Sequence, residues 1–226
     1  MTRAGGGMET DAAGFVLAGG QSSRMGQDKA LLPFAGQPLI VRALSILREA
    51  GLEAKIAGAR SALDGVAVVF ADAEPGLGPL SGICAALAAS PAQRAVFLPV
   101  DLPLLPPSLV AFLLHHAQIT GRPVTLSSVN GFAQTFPAVI ARAALPALQS
   151  RLESGRRGCF RAFQSAAASL DQTVSVVPVE YLVQCGQVSH PDGLPAVHWF
   201  RNLNSPWDLR HAQALARAAS VPASGA

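Results

Sequence analysis

The chain has 226 residues, half of them hydrophobic, with 17 Lys+Arg against 14 Asp+Glu and a formal net charge of +3. That length fits one α/β domain or at most two small ones, and the apolar share supplies a core without disulfide staples. Only 14% of residues are charged and no block of consecutive basic residues occurs, so the small excess suits a phosphate-bearing small ligand better than a long nucleic acid.

Cys84, Cys159 and Cys185 are odd in number and form no CxxC pair, which argues against a disulfide framework or a thiolate zinc site and predicts reduced, cytosolic thiols. Residues 1–13 are Gly-rich and acidic before any apolar run. They lack the basic-then-apolar order of a signal peptide and read as a flexible leader. The most membrane-like segment, AVFLPVDLPLLPPSLVAFLL from Ala95, contains Asp101, Pro99, Pro103, Pro106 and Pro107. These would leave backbone groups unpaired in lipid, so the segment reads as strand, loop and helix.

In chain order, Gly14 to Ala18 predicts a strand, Gly19 to Lys29 a polar loop, and Pro38 to Ala50 a helix ended by Gly51. Leu52 to Ala57 and Val66 to Phe70 predict strands, Leu80 to Ala89 a helix, Ala95 to Val100 a strand and Ser108 to Ile119 a helix. Such alternation predicts parallel pairing through right-handed crossovers. Beyond Pro123, VTLSSV and TFPAVI read as strands, ALPALQSRLESG and GCFRAFQSA as helices, and VSVVPV as a strand. VQCGQVSHPDGLPAV (183–197) reads as an excursion, and VHWFRNLNSPWDLRHAQALARAA as a strand, a turn and a terminal helix N-capped by Ser205 with Pro206 at its first position. No repeat or long linker divides the chain. One folded unit is expected over residues 14–220, with a flexible tail at 221–226.

The loop after the first strand occupies the privileged edge of an open α/β sheet. The N–H groups of Gly19 and Gly20 could approach phosphate oxygens without a Cβ in the way, and Arg24 and Lys29 would add charge. A Walker A motif is excluded because Gln27 and Asp28 separate Gly26 from Lys29, and no GxGxxG fingerprint occurs. Asp101, at the carboxyl end of its strand before Leu102 and Pro103, offers the hard oxygen that Mg²⁺ prefers; the competing reading is a turn cap. Ser22 and Ser23 lack a nucleophile elbow. His115 and His116 are adjacent on a helix and diverge by about 100°, which rules out an i, i+4 metal pair. Cys84 reads as core.

The run LAGGQSSRMGQDKALLPFAGQPL resembles the signature of molybdenum cofactor guanylyltransferases, within the wider nucleotidyltransferases that include molybdopterin cytidylyltransferases and sugar-nucleotide enzymes. DAEPGLGPLSGICAAL, FLPVDLPLLPPSL and NLNSPWDL follow in the family's order. The resemblance implies a three-layer, Rossmann-like α/β fold with a mainly parallel central sheet. It divides the chain into a nucleotide-binding half (about 14–120) and a molybdopterin-side half (about 121–220), the latter with Arg156 and Arg157. It further implies GMP transfer from GTP to the terminal phosphate of molybdenum-molybdopterin, with release of pyrophosphate.

Arg24, Lys29 and Asp101 are the implied catalytic residues. Leu17, Ala18, Gly19, Gly20, Lys29, Asp72, Gly78, Pro79 and Asp101 are the implied nucleotide contacts, and Asp101 and Asn204 the implied ligands of Mg²⁺. The implied setting is cytoplasmic, with GTP and molybdenum-molybdopterin as substrates, transient contact with cofactor insertion proteins or apo-molybdoenzymes, and no nucleic acid or membrane. Cytidylyl relatives carry LAAG where this chain has LAGG, so the missing methyl at Gly19 leaves room for a purine. Ala57 replaces a frequent Asn, Val100 replaces a frequent Cys, and the 183–197 excursion is long enough to reshape the pterin side. A cytidylyl or sugar- or alditol-phosphate enzyme and a molybdopterin carrier without turnover stand as alternatives.

Overall fold

A computed structural model describes residues 11–18, 28–58, 65–70 and 77–219. Strand β1 (Ala12–Leu17) starts two residues before the expected Gly14 and is buried along its whole length, as a strand covered on both faces must be. The next described element is a 3₁₀ turn, Lys29–Leu31, which the sequence did not announce. Asp28 caps it, its Oδ1 accepting from the Ala30 N–H at 3.0 Å. A small ribbon, β2 (Pro33–Phe34) with β3 (Gln37–Pro38), leads into helix α1 (Leu39–Glu49).

Strands β4 (Ala54–Ala57) and β5 (Val69–Phe70) are shorter than expected. Helix α2 (Pro79–Ala89), strand β6 (Arg94–Pro99) and helix α3 (Pro107–Thr120) fall within a residue of their expected limits. Strands β7 (Val124–Val129) and β8 (Phe132–Ala141) form a hairpin. Helices α4 (Leu145–Glu153) and α5 (Cys159–Ala168), strand β9 (Ser175–Pro178), helix α6 (Val179–Gln184) and helix α7 (Pro206–Ala219) complete the chain.

The seven-stranded sheet has the order β5-β4-β1-β6-β8-β7-β9. Every pairing is parallel except the two that β8 makes, with β6 and β7. The alternation of β1 divides its neighbours between two cores. Ala12 and Val16 face the apolar sides of α1 and α3, whereas Ala13, Phe15 and Leu17 face α2, α4 and α5. Gly14 is required by close packing, since a Cβ there would meet Leu47 Cδ1 and Leu52 Cβ at 3.2 Å.

One expectation is corrected in the C-terminal third. Among the described residues no strand forms after Ala196. A 3₁₀ turn, Ala196–His198, instead leads into Trp199, which is buried with its indole N–H donating to the Leu194 carbonyl at 2.7 Å. The excursion packs on the sheet face opposite to the helices that flank Arg156 and Arg157. Val188, Leu194 and Trp199 join the core of α1 and α3, whereas the helices flanking those arginines cover the other face. Among the described residues no helix is long and apolar enough to cross a membrane.

Candidate active site

From β1 the chain winds outward to β4 and β5, and from β6 it turns the other way, so the carboxyl ends of β1 and β6 frame the crevice where doubly wound sheets hold ligands. Leu17 pairs with Pro99, and its carbonyl accepts from the Val100 N–H at 3.2 Å. Ala18 donates its N–H to the Ala57 carbonyl at 3.1 Å, so buried Leu17 and Ala18 form the floor of this edge.

On that floor three distant residues converge. The Lys29 Nζ donates to Asp101 Oδ2 at 2.8 Å and to Asn204 Oδ1 at 3.3 Å. The Lys29 and Asp101 side chains are 18% and 21% exposed, enough for a solute to reach them. Each is held by its own element. The Asp28 cap fixes the turn that carries Lys29, β6 delivers Asp101, and the Leu203 N–H donates to the Asp101 carbonyl at 3.2 Å.

Asn204 is set by the start of α7. Its N–H donates to Asp208 Oδ2 at 3.1 Å, and Ser205, the expected N-cap, accepts from the Asp208 N–H at 3.2 Å and donates to Oδ2 at 2.7 Å. The Ser205 hydroxyl is the chief cause that holds the Asp208 carboxyl below the ordinary carboxylate range. Asp28 and Asp208 are positioning groups the sequence reading missed. The signal for Asp208 lay in the SPWD spacing, where an N-cap Ser is followed three residues later by an acid.

Gly78 and Pro79 open α2. Gly78 adopts φ 84° and ψ −176°, a region open to glycine alone, and Pro79 takes the first helical position. Gly19, Gly20, Arg24 and Asp72, with Ser22 and Ser23, lie outside the described residues. Val100 is buried in the same core as Leu102, Leu104 and Leu105. Ala57 is buried at the end of β4 beside Ala18.

Other side chains are accounted for by packing. Cys84 and Cys159 are buried, and burial pushes their thiols up to about 11 and about 12, which leaves them inert. His116 Nε2 lies 3.0 Å from Ser175 Oγ and its ring stacks on Phe112, while His115 faces solvent. Arg151, Arg156, Arg157 and Arg161 line a cavity of about 680 Å³ where α4 turns into α5. Because β8 ends, and β9 begins, at the amino edge of the sheet, this turn is carried towards the ligand edge.

The donor set at the centre suits a hard divalent cation. A carboxylate oxygen and an amide oxygen already converge on one positive charge, the Lys29 ammonium. A mainly parallel sheet with such a constellation at its switch point defines a nucleotide-binding α/β enzyme. The model of the MobA-like NTP transferase domain matches residues 14–172, and the chain belongs to that family; it is a nucleotidyltransferase.

Among its relatives, the probable molybdenum cofactor guanylyltransferase of Haloferax mediterranei is 32% identical over 212 residues, covering 90% of this chain and 93% of that protein. The molybdenum cofactor guanylyltransferase of Xanthomonas euvesicatoria is 47% identical over 107 residues, covering 46% of this chain and 54% of its own. In fold, the chain is similar to the crystal structure of molybdopterin-guanine dinucleotide biosynthesis protein A from Archaeoglobus fulgidus. The TM-score is 0.73 at 21% identity, covering 91% of this chain and 99% of that one.

Proposed function

We propose that the protein transfers GMP from GTP to the terminal phosphate of molybdenum-molybdopterin in the cytoplasm. The observation that carries this reading is the convergence of Lys29, Asp101 and Asn204 at the sheet's switch point. An acceptor phosphate oxygen attacks the α-phosphorus of GTP. A new P–O bond forms, the bond to the bridging α–β oxygen breaks, and pyrophosphate leaves with that bond's electron pair. The attacking phosphate is already an anion at neutral pH, so no general base is needed.

Lys29 offsets charge on the triphosphate, with Arg24 and the Gly19 and Gly20 amides as its partners in that role. Leu17 and Ala18 form the floor under the nucleotide, and Asp72, Gly78 and Pro79 flank it. Asp101 and Asn204 would hold Mg²⁺, which would supply charge neutralisation. The arginines of the α4–α5 turn suit the anionic acceptor. Transient docking to insertion proteins or apo-molybdoenzymes belongs to the same reading, because the product serves only once handed on.

Measurement of pyrophosphate release with GTP and CTP, each with molybdopterin, tests the proposal. A kcat/KM favouring GTP is expected, with a preference of about 1–3 kcal/mol from the Gly19 methyl difference alone. A preference for CTP overturns the guanylyl assignment, and absence of turnover with either nucleotide leaves a carrier or a sugar- or alditol-phosphate enzyme.

A further inference from the structure

The segment that carries Asp101 is buried from Leu102 to Pro106, so each of its carbonyls needs a donor. Pro103 and Pro106 have no N–H, which limits how the segment can be anchored to its own backbone. The Asp101 carbonyl accepts from Leu203, the Leu102 carbonyl from Leu105, and the Pro106 carbonyl from Leu109, all backbone N–H groups. The Pro103 carbonyl instead accepts from a side chain, Arg42 Nε on α1, at 3.2 Å across 61 positions of sequence.

Arg42 is a half-buried charged residue flanked by Val41 and Ala43 on a helix whose buried residues are all apolar. A guanidinium aimed at a buried carbonyl two residues beyond a metal-binding carboxylate does more than cover apolar surface, since its planar donors fix direction as well as distance. We propose that Arg42 is a positioning residue for nucleotidyl transfer: it holds the loop at Pro103 and so fixes where the Asp101 carboxylate stands relative to Asn204. Arg42 touches none of the reacting groups in this role. The inference rests on Asp101 binding the divalent cation.

The test uses full-length Arg42→Met, which keeps the apolar stem, with Arg42→Gln as a second neutral variant should the first not fold, and Arg42→Lys as the conservative one. Mn²⁺ binding is measured by electron paramagnetic resonance in the presence of a GTP analogue with a non-cleavable α–β linkage, alongside steady-state kinetics and thermal melting. A roughly tenfold weaker Mn²⁺ Kd is expected in the neutral variant, with a similar fall in kcat, a GTP KM within about twofold of wild type, and partial recovery in the lysine variant. A folded neutral variant with wild-type Mn²⁺ affinity and kcat overturns the inference, even if its Tm is lower, because a merely structural contact would give that result. Asp101→Asn in the same titration separates the two claims. If it retains wild-type Mn²⁺ affinity the metal reading itself fails, whereas loss there with no change in the Arg42 variants removes only the role of Arg42.

Discussion

The Lys29 ammonium sits between Asp101 and Asn204, 2.8 Å from the carboxylate and 3.3 Å from the amide oxygen. It thereby fills the place a bound cation would take, and two positive charges cannot share it. If Asp101 holds the divalent cation as proposed, lysine and metal would compete for its carboxylate in the absence of nucleotide, and phosphate oxygens would draw the lysine away. Lys29→Met is therefore expected to bind Mn²⁺ about three- to tenfold more tightly than wild type without nucleotide, a gain of roughly 1 kcal/mol typical of removing a partly exposed ion pair. The same variant loses GTP affinity. Weaker metal binding in the nucleotide-free variant would show that lysine and metal do not compete.

Asp101→Asn keeps the shape of the side chain and removes its charge. Turnover is expected to fall by on the order of 10²–10³, the scale for losing one preorganised electrostatic contact in a phosphoryl or acyl transfer. The fold should survive, because Lys29 is partly exposed and the Asn amide oxygen can still accept from it. Near-normal pyrophosphate release from a folded variant would remove Asp101 from the metal site.

Gly78 tests how the start of α2 is held. A Cβ at this position meets nothing within 4 Å, so any penalty of Gly78→Ala comes from the backbone, which holds φ at 84°. The expected loss is about 1–3 kcal/mol, read as a lower midpoint in urea. A variant as stable as wild type would mean that the helix start can re-form with a negative φ.

His190 supplies a pH signature. Its side chain is 3% exposed, its Nδ1 accepts from the Asp192 N–H at 3.1 Å, and its Nε2 has no hydrogen-bond partner among the described residues. Burial is the main cause that lowers its pKa. The Arg42 charge acts the same way, while Asp192 and the Leu104 carbonyl oppose it. A histidine held neutral in the folded state stabilises fully above its ordinary pKa near 6.5, and that stability is lost as pH falls towards the lowered folded value. His190→Asn, whose amide oxygen can keep the bond to the Asp192 N–H, should therefore flatten the dependence of Tm on pH below about 6.5. A Tm profile parallel to wild type would assign the acid limb to another group.

The first 120 or so residues were the more legible part of the sequence. Strand β1, helices α1 to α3 and strand β6 carry uniform apolar runs with clear breakers, Gly51, Pro107 and Gly121, and each formed within a few residues of its expected span. The C-terminal third was harder to read because its decisive contacts are long-range. Trp199 lies in a run that alternates like a strand, yet its indole N–H finds the Leu194 carbonyl and the backbone turns instead. Helix α6 has six residues and directly follows Pro178, too short for helical periodicity to show.

At the site, motif order marked Lys29, Asp101 and Asn204, but their meeting across 72 and 175 positions is a product of the sheet. Arg42 gave only a faint signal, a lone charge in PLIVRALSIL. No local pattern could disclose that its partner is a carbonyl in the DLPLLP segment.

The order of the central sheet bears on how this protein behaves in a crowded solution. Its outermost strands are β5, with two residues, and β9, with four, the latter closed by Pro178. The longest described strand, β8, pairs with β7 from Phe132 to Ile140 and with β6 over Ala138–Ala141. A long, flat outer strand would offer its unpaired N–H and C=O groups as a template for another chain, whereas these borders are too brief to guide one, and Pro178 contributes no donor. Half of the residues are hydrophobic, yet among the described residues the two outermost strands of the central sheet together present only six residues as an edge.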